Sequence, residues 1–456
     1  MPPLPRGVIW KTSTAESYAV WSRVPSVGVR RSDRLLRCCG LPTHLPPFVV
    51  TDAQFIAAYA VFLGSYVVFA IGKFPGMKID RPGAAIIGSA VLFAFRIIGP
   101  VEAVTFIDFS TIVLLFSMMV IVGELRLAGF FDWVTEAIVR RLHPQHLLPT
   151  VIFTSGVLSA FFVNDIICLV MVPFVLGVSR RMGLRPLPYL LALATASNIG
   201  SVATITGNPQ NILIGSVSGL GYREFLWHLA PVALFGLFLD WGILHWLYRR
   251  EDLAMPPVDE RRQSSRLEPL RLRKAVIVVA FVLVGFLAGV SPAMVAALGA
   301  ALMLITRTVE PRRVYEEIDW GLLVFFIGLF LIVGGADKSG IMDRLMWFTR
   351  SWNLERVGTF TVVTALLSNI VSNVPAVMLL KSAVPRFSNP HTAWLTLAMA
   401  STLAGNLTIT GSVANMIVVE RARPEVRISW REYLRAGFPV AITTIAAGAL
   451  WLWWIG

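Results

Sequence analysis

The sequence predicts an all-α polytopic membrane protein made of two inverted repeats, each with spanning helices, one re-entrant hairpin and one discontinuous helix. Three observations carry that prediction. The 456 residues are 56% hydrophobic and only 15% charged, too apolar a balance for a soluble chain of this length. Apolar runs of about 17 to 25 residues, enough to cross hydrocarbon, recur along the chain. Polar interruptions inside four further apolar segments fall at matching places in the two halves.

Taken in order, spanning helices are expected at residues 53–71, 83–98, 109–124 and 225–248, then at 275–290, 292–306, 320–336 and 436–454. Segments 147–179 and 358–382 are too long for one crossing. Each is broken near its middle, by Val163-Asn164-Asp165 and by Ser372-Asn373-Val374-Pro375, which predicts hairpins that enter and leave by one face. Segments 187–218 and 392–420 carry a Gly-rich polar interruption about two-thirds along and predict discontinuous helices. Apolar residues at helical spacing (Phe130, Val134, Ile138, and Ile341, Leu345, Phe348, Trp352) predict two interfacial helices. The expected organisation is a basic, disordered tail over 1–50, a first repeat over 51–250, a cytoplasmic linker over 251–274 and a second repeat over 275–456.

The formal charge of +13 is explained by short basic connections. Loops 180–185, 249–274, 307–317 and 421–435 all lie in the cytoplasm in one topology, which sends the first hairpin in from the cytoplasm and the second from outside. That topology puts both termini outside, against the vote of the Arg-rich tail. Basic residues in such places meet headgroups, so no nucleic-acid partner is expected. Cys38, Cys39 and Cys168 have no ligand-spaced neighbours, so neither a disulfide framework nor a zinc site follows, and no cofactor is expected.

The halves read as copies. Ile107-Asp108-Phe109, leading to Gly123 and Gly129, returns as Ile318-Asp319-Trp320, leading to Gly334 and Gly340. Ser159 and Asn164 answer Ser368 and Asn373. Ala196-Ser197, Thr204-Ile205-Thr206-Gly207 and Asn211 answer Ala400-Ser401, Thr408-Ile409-Thr410-Gly411 and Asn415. An odd number of crossings per half makes the copies inverted.

Unwound backbone inside hydrocarbon is costly, so four corresponding breaks imply a purpose. Exposed helix N-terminal amides suit an anion, and the carbonyls ending a half-helix suit a cation. The candidate site residues are Asn164, Asp165, Ser372 and Asn373 at the hairpin tips, and Thr206, Gly207, Asn208, Pro209, Asn211, Thr410, Gly411, Ser412 and Asn415 at the helix breaks. Their plainer role is to cap half-helices or to join packed helices. Asp165 is the ionisable residue nearest a tip and a candidate sodium ligand or proton carrier, with an N-cap as its plainer role; its counterpart is Val374. A sodium site is expected near Asn164, Asp165, Asn208 and Asn373. Glu124 is expected at an interface beside Arg126, Asp240 facing a cavity, His228 and His245 at the interface, and Lys338 and Arg96 as snorkelling helix-end charges.

Phe161-Phe162-Val163-Asn164-Asp165 together with Ser197-Asn198-Ile199-Gly200 and Thr206-Gly207-Asn208-Pro209-Gln210-Asn211 resembles the ion transporter superfamily. These are citrate-transporter-like permeases, which include divalent anion/sodium symporters and arsenite permeases. The resemblance covers the chain from about Thr51 onward. It implies that Asn164, Asn373, residues 208–211 and residues 412–415 line a site for carboxylate and sodium. Asp165 follows Asn164 where the symporters carry Thr, which looks more like the arsenite-permease and sodium/proton-antiporter branches.

The function expected is secondary active transport of a small anion, coupled to sodium or protons by alternating access. The alternatives are arsenite or antimonite efflux and sodium/proton antiport. A membrane-embedded enzyme would want clustered acids or His near one face, which are absent from the sequence pattern, and a channel suits opposed hairpins less well. The expected partners are a small anionic substrate and the lipid bilayer, with a homodimer as the assembly, in the plasma (inner) membrane.

Overall fold

A computed structural model describes residues 52–72, 79–139, 143–249, 269–305, 310–423 and 425–456. The predicted tail, 1–50, and residues 251–268 of the predicted linker lie outside the described residues, as does the side chain of Ile138. The helices of the first half are α1 (Asp52–Ile71), α2 (Arg81–Ala94), α3 (Pro100–Phe106), α4 (Phe109–Leu127), α5 (Phe130–Val139), α6 (Leu147–Phe161), α7 (Asn164–Arg181), α8 (Leu187–Ser201), α9 (Pro209–Val217) and α10 (Tyr222–Tyr248). Those of the second half are α11 (Pro269–Leu287), α12 (Pro292–Leu304), α13 (Pro311–Glu316), α14 (Trp320–Lys338), α15 (Ile341–Phe348), α16 (Val357–Val371), α17 (Asn373–Leu380), α18 (Pro390–Leu403), α19 (Val413–Ala422) and α20 (Trp430–Ile455). No strand occurs among the described residues.

The architecture is that of a polytopic helical membrane protein. Helices α1, α4, α10, α14 and α20 are long and apolar enough to cross a bilayer. Large apolar side chains stand on the outside of the bundle, Ile56, Leu63, Ile86, Val284 and Leu298 among them. A soluble protein would bury such a surface, whereas lipid covers it without cost.

Two expected spans come out shorter than predicted. Helix α2 has 14 residues and α12 has 13; at 1.5 Å per residue they reach about 21 and 20 Å. The 83–98 span stops because Arg96 takes a left-handed φ of 54° and turns the chain into α3, which the sequence reading missed.

The repeated Ile-Asp-aromatic motif has a local physical cause. Asp108 accepts from the amide of Thr111 (3.0 Å) and Asp319 from that of Leu322 (2.9 Å), so each carboxylate satisfies an orphan N–H at the start of a long apolar helix.

The four interruptions are real breaks in the helices. Phe162 and Val163 separate α6 from α7, and Ser372 separates α16 from α17. Residues 202–208 separate α8 from α9, and residues 404–412 separate α18 from α19. Helix α6 packs on α8 so closely that a Cβ on Gly200 would run into the backbone of Gly156. Ser372 turns its corner with φ 77°, a left-handed value that costs a non-glycine residue about 1–3 kcal/mol.

Candidate substrate and ion cavity

The first turns of the four helices that follow the breaks converge, with those of α2 and α14, on one cavity of about 300 Å³. Asn164 and Asp165 open α7, Asn373 and Val374 open α17, Pro209 and Gln210 open α9, and Ser412 and Val413 begin α19; all eight line the cavity, with Ser372. The breaks that the sequence placed far apart in the chain therefore meet. Because each helix points its amino end inward, the positive ends of four helix dipoles face the same space.

Asn164 fixes the first tip. Its backbone amide donates to the carbonyl of Gly207 (2.9 Å) and its side-chain amide to Asn198 Oδ1 (2.9 Å). Its own Oδ1 is buried and has no partner. At the second tip Asn373, with its amide nitrogen turned toward the surrounding acceptors, donates to the carbonyls of Gly411 (3.0 Å) and Ser401 (3.1 Å), while its oxygen accepts from Gln210 Nε2 (3.3 Å). Each tip thus leans on the loop of the broken helix in its own half.

A second set of bonds crosses between halves. Asn198, on α8, accepts at Oδ1 from Ser412 Oγ (2.9 Å) and donates through Nδ2 to Asn406 Oδ1 (2.8 Å) and Asn415 Oδ1 (3.0 Å). Thr402, on α18, answers it: Oγ1 accepts from Asn208 Nδ2 (3.2 Å) and Gln210 Nε2 (3.1 Å) and reaches Asn211 Oδ1 at 3.5 Å. Each half-helix therefore grips the other half's loop. Buried amides and hydroxyls that satisfy one another in this way specify a single arrangement, since any slip strands several polar groups at once.

The remaining predicted residues form the wall behind the cavity. Asn208 caps α9 by accepting from the amide of Asn211 (2.8 Å). The Asn211 side chain donates to the carbonyls of Ser201 (3.1 Å) and Thr204 (3.0 Å), and Asn415 donates likewise to those of Gly405 (2.7 Å) and Thr408 (3.1 Å). Gly207 presses on the backbone of Ser201, where a Cβ would not fit. Thr206 is buried and bonded to the Tyr222 hydroxyl (3.1 Å), and Thr204 bonds to the Ala160 carbonyl. Thr410 departs from expectation. It is exposed and lines no cavity with the others, because its loop is not covered as the Thr206 loop is by Tyr222.

Charge enters at the rim. Arg81, held by a bond from Nε to the Phe69 carbonyl (3.1 Å), lies within electrostatic reach of Asp165, and Asp80 and Asp319 stand exposed at the mouth. The backbone amide of Ala414 in α19 also lies near the Asp165 carboxyl. The reading of Asp165 from its local sequence missed Arg81, which comes from a different helix.

Two further expectations are corrected. Glu124 is buried and pairs with Arg271 (3.1 Å), while Arg126 pairs with Glu317 (2.6 Å), because the turn of α4 that separates them sends their side chains to different neighbours. Asp240 does not line this cavity: it is fully buried against Thr195. Lys338 pairs with Glu102 (2.6 Å), and Arg96 is exposed. His228 lies beside His391, which pairs with Glu224 (2.8 Å). The resemblance included Gln210 among the lining residues and quoted Asn198 without a role, but the sequence reading passed over Thr402 and Asn406, whose signal was a hydroxyl or amide inside or next to an otherwise apolar run.

A bundle of this kind, with exposed apolar sides and a polar cavity at the junction of its helix breaks, defines a membrane transporter of small solutes. The chain belongs to the citrate transporter family, whose family model matches residues 66–404. It is similar to a 46 kDa membrane protein of Mycobacterium leprae, 30% identical over 87% of this chain and 98% of that one. It is also similar to a silicon efflux transporter of Oryza sativa, 28% identical over 82% and 92% of the two chains. A Dictyostelium discoideum protein bearing the transporter name arsB is 25% identical over 82% of this chain and 87% of its own length. Among solved structures, the YdaH transporter of Alcanivorax borkumensis shares the fold, with a TM-score of 0.53 at 15% identity over 89% of this chain and 98% of that one. The family is one of transporters, not enzymes, and the Oryza and Dictyostelium relatives bear transporter names.

Proposed function

We propose that the protein is a secondary active transporter of a small anion, a carboxylate or an inorganic oxyanion, coupled to sodium or protons by alternating access. The observation that carries this reading is the convergence of four helix N-termini, with Asn, Gln and Ser side chains among them, on one open-mouthed cavity. Their amides supply donors and partial positive charge without the desolvation cost of buried lysines. Asn164, Ser372, Asn373, Pro209 and Ser412 touch the solute, while Thr206, Gly207, Asn208, Asn211, Gly411 and Asn415 hold the loops in shape. The unpartnered Asn164 Oδ1, with Asp165 beside it, supplies oxygen ligands for the coupling cation.

In this reading the α6–α7 and α16–α17 pairs are re-entrant hairpins of two inverted repeats. The reciprocal grip of Asn198 and Thr402 supports it. The cavity mouth at Asp80 and Asp319 lies on the cytoplasmic side of the topology that the basic loops favour, in the plasma (inner) membrane, with a homodimer as the assembly.

The test is uptake by proteoliposomes of a panel of carboxylates and oxyanions under imposed sodium and pH gradients. Movement of at least one anion under one gradient is expected. No movement under either gradient sinks the reading. Asp165→Asn should change the sodium or pH dependence more than the anion preference, and an unaltered coupling profile would reduce Asp165 to a helix cap.

A second reading is favoured by one observation: three carboxylates, Asp80, Asp165 and Asp319, stand against the single Arg81 in the cavity lining. That balance suits a small hydroxylated acid that is neutral at neutral pH, such as the cargo named for the silicon efflux relative. Efflux of silicic or arsenous acid without movement of any anion would select it, and sodium flux driven by pH without either cargo would select antiport.

A further inference from the structure

Behind the cavity lies a buried acid that neither reading uses. Asp240 sits on α10, eight residues from its end and therefore about 12 Å inside. It has no exposed surface. Among the described residues, no Lys, Arg or His lies within ion-pair distance of it, and its one hydrogen-bond partner is the hydroxyl of Thr195 on α8, 2.9 Å from Oδ1 and 3.0 Å from Oδ2. Helix α10 packs against α6, α8, α11, α18 and α20. The titratable group facing Asp240 from these is Tyr433 on α20, whose hydroxyl is buried near Asn415; Cys168 on α7 is also within electrostatic reach of Tyr433. On its own helix the nearest ionisable residue is the exposed His245.

The hydrogen bonds decide which form of Asp240 fits. The Thr195 hydroxyl carries one proton and has several acceptors in reach: the carboxyl oxygens, the Leu191 carbonyl (3.0 Å) and the Ala192 carbonyl (3.3 Å). If Asp240 is protonated, its O–H donates to Thr195 Oγ1 and the Thr195 proton goes to Leu191, so both groups are satisfied. If Asp240 is ionised, Thr195 must turn its proton to the carboxylate, which remains a buried charge with one neutral donor. An isolated buried carboxylate costs far more than a buried carboxylic acid.

This site is joined to the cavity. The Thr195 carbonyl accepts from Asn406 Nδ2 (3.1 Å), and Asn406 Oδ1 accepts from Asn198, which holds the tip residue Asn164 and the cap residue Ser412. Amides do not relay protons, so the link is mechanical. A change at Asp240 that moves Thr195 moves the hub.

We propose that Asp240 is a proton-binding site, filled in this conformation, whose loading sets the position of the Asn198 hub. One proton adds to a carboxylate oxygen to give the acid, and is returned to water when α8 and α10 part. The inference rests on the transport reading for its consequence, but proton binding itself can be measured without transport.

Infrared difference spectra of the purified full-length protein, recorded across a pH titration, should contain the carbonyl stretch of a protonated carboxyl at neutral pH. Asp240→Asn should remove that band and Asp165→Asn should leave it. Thr195→Val, which keeps the acid but deletes its partner, should shift the band and move its titration midpoint by at least one pH unit. A band unchanged in Asp240→Asn, or no protonated carboxyl in the folded wild type, overturns the proposal. In proteoliposomes, Asp240→Asn should flatten the pH profile of uptake and cut accumulation driven by a pH gradient by at least tenfold; a wild-type profile overturns the coupling role. Should the wild-type protein move no solute while the band behaves as expected, the transport reading fails and the proton site stands.

Discussion

The two helix breaks share a pattern but not an environment. Around the first, Thr206 is buried under Tyr222, and Asp108 is bonded to Ser216 Oγ (2.5 Å), which also meets Thr111 Oγ1 (2.9 Å), so α9 is latched to the start of α4. Around the second, Thr410 is exposed, and Asp319, the matching cap, stands open at the cavity mouth with no such latch to α19. The tips differ as well: Val163 turns without strain at φ −55°, whereas Ser372 takes φ 77°. Two breaks of matching sequence thus sit in different packing, the first covered and latched and the second open. In an alternating-access cycle the two would exchange roles.

The sharpest test of that comparison is the reciprocal grip. Asn198→Ala removes four side-chain hydrogen bonds and strands buried groups in both halves, each worth about 1–3 kcal/mol. It should abolish transport and clearly lower the melting temperature. Thr402→Ala breaks fewer and longer bonds and should cost transport about threefold to tenfold, since a neutral bond contributes about 1 kcal/mol. Equal losses in the two variants would mean that the halves carry equal loads.

Next come the tips themselves. Asn164→Ala and Asn373→Ala should each abolish uptake while folded protein remains in the membrane, as read by size-exclusion profiles. Retained transport in both would remove the tips from the site.

A smaller effect is expected at the latch. Ser216→Ala deletes a hydrogen bond to a carboxylate, so the latched first break should loosen severalfold, by about 1 kcal/mol. The labelling rate of a thiol introduced as Ser218→Cys should rise in that background, and an unchanged rate would show that Asp108 does not latch the break.

Smallest is the strained corner. Ser372→Gly relieves the left-handed φ and should raise stability by up to about 1 kcal/mol, less than the strain because glycine also frees the unfolded chain. A drop in melting temperature would mean that the Ser372 hydroxyl matters more than the strain. Thr410→Ala, at an exposed position, should change transport less than twofold, whereas Thr206→Ala loses a buried bond to Tyr222 and should change it more.

Much of this was legible in the chain because hydrocarbon imposes a local rule. Apolar length marks a helix, and a polar interruption marks a break, without any knowledge of neighbours. That rule found the four breaks, while Asp108 and Asp319 showed in the sequence only as a repeated motif whose capping role the structure supplied. It overran the end of α2, since nothing in 83–98 announces the turn at Arg96. Local spacing also misjudged Glu124, Asp240 and Thr410, whose surroundings come from distant helices.

By itself the sequence determined an all-helical membrane chain, the places where its helices stop, and the small polar residues set there. Only the tertiary structure decided that four of those stops share one cavity, that Asn198 and Thr402 bind across the halves, that Arg81 lies near Asp165, and that one break is latched while its counterpart is open. The reason is the range of the forces. Backbone hydrogen bonding and hydrophobic length act within a few turns of one helix, while cavity shape, electrostatic neighbours and amide networks depend on segments that meet only after the helices have packed.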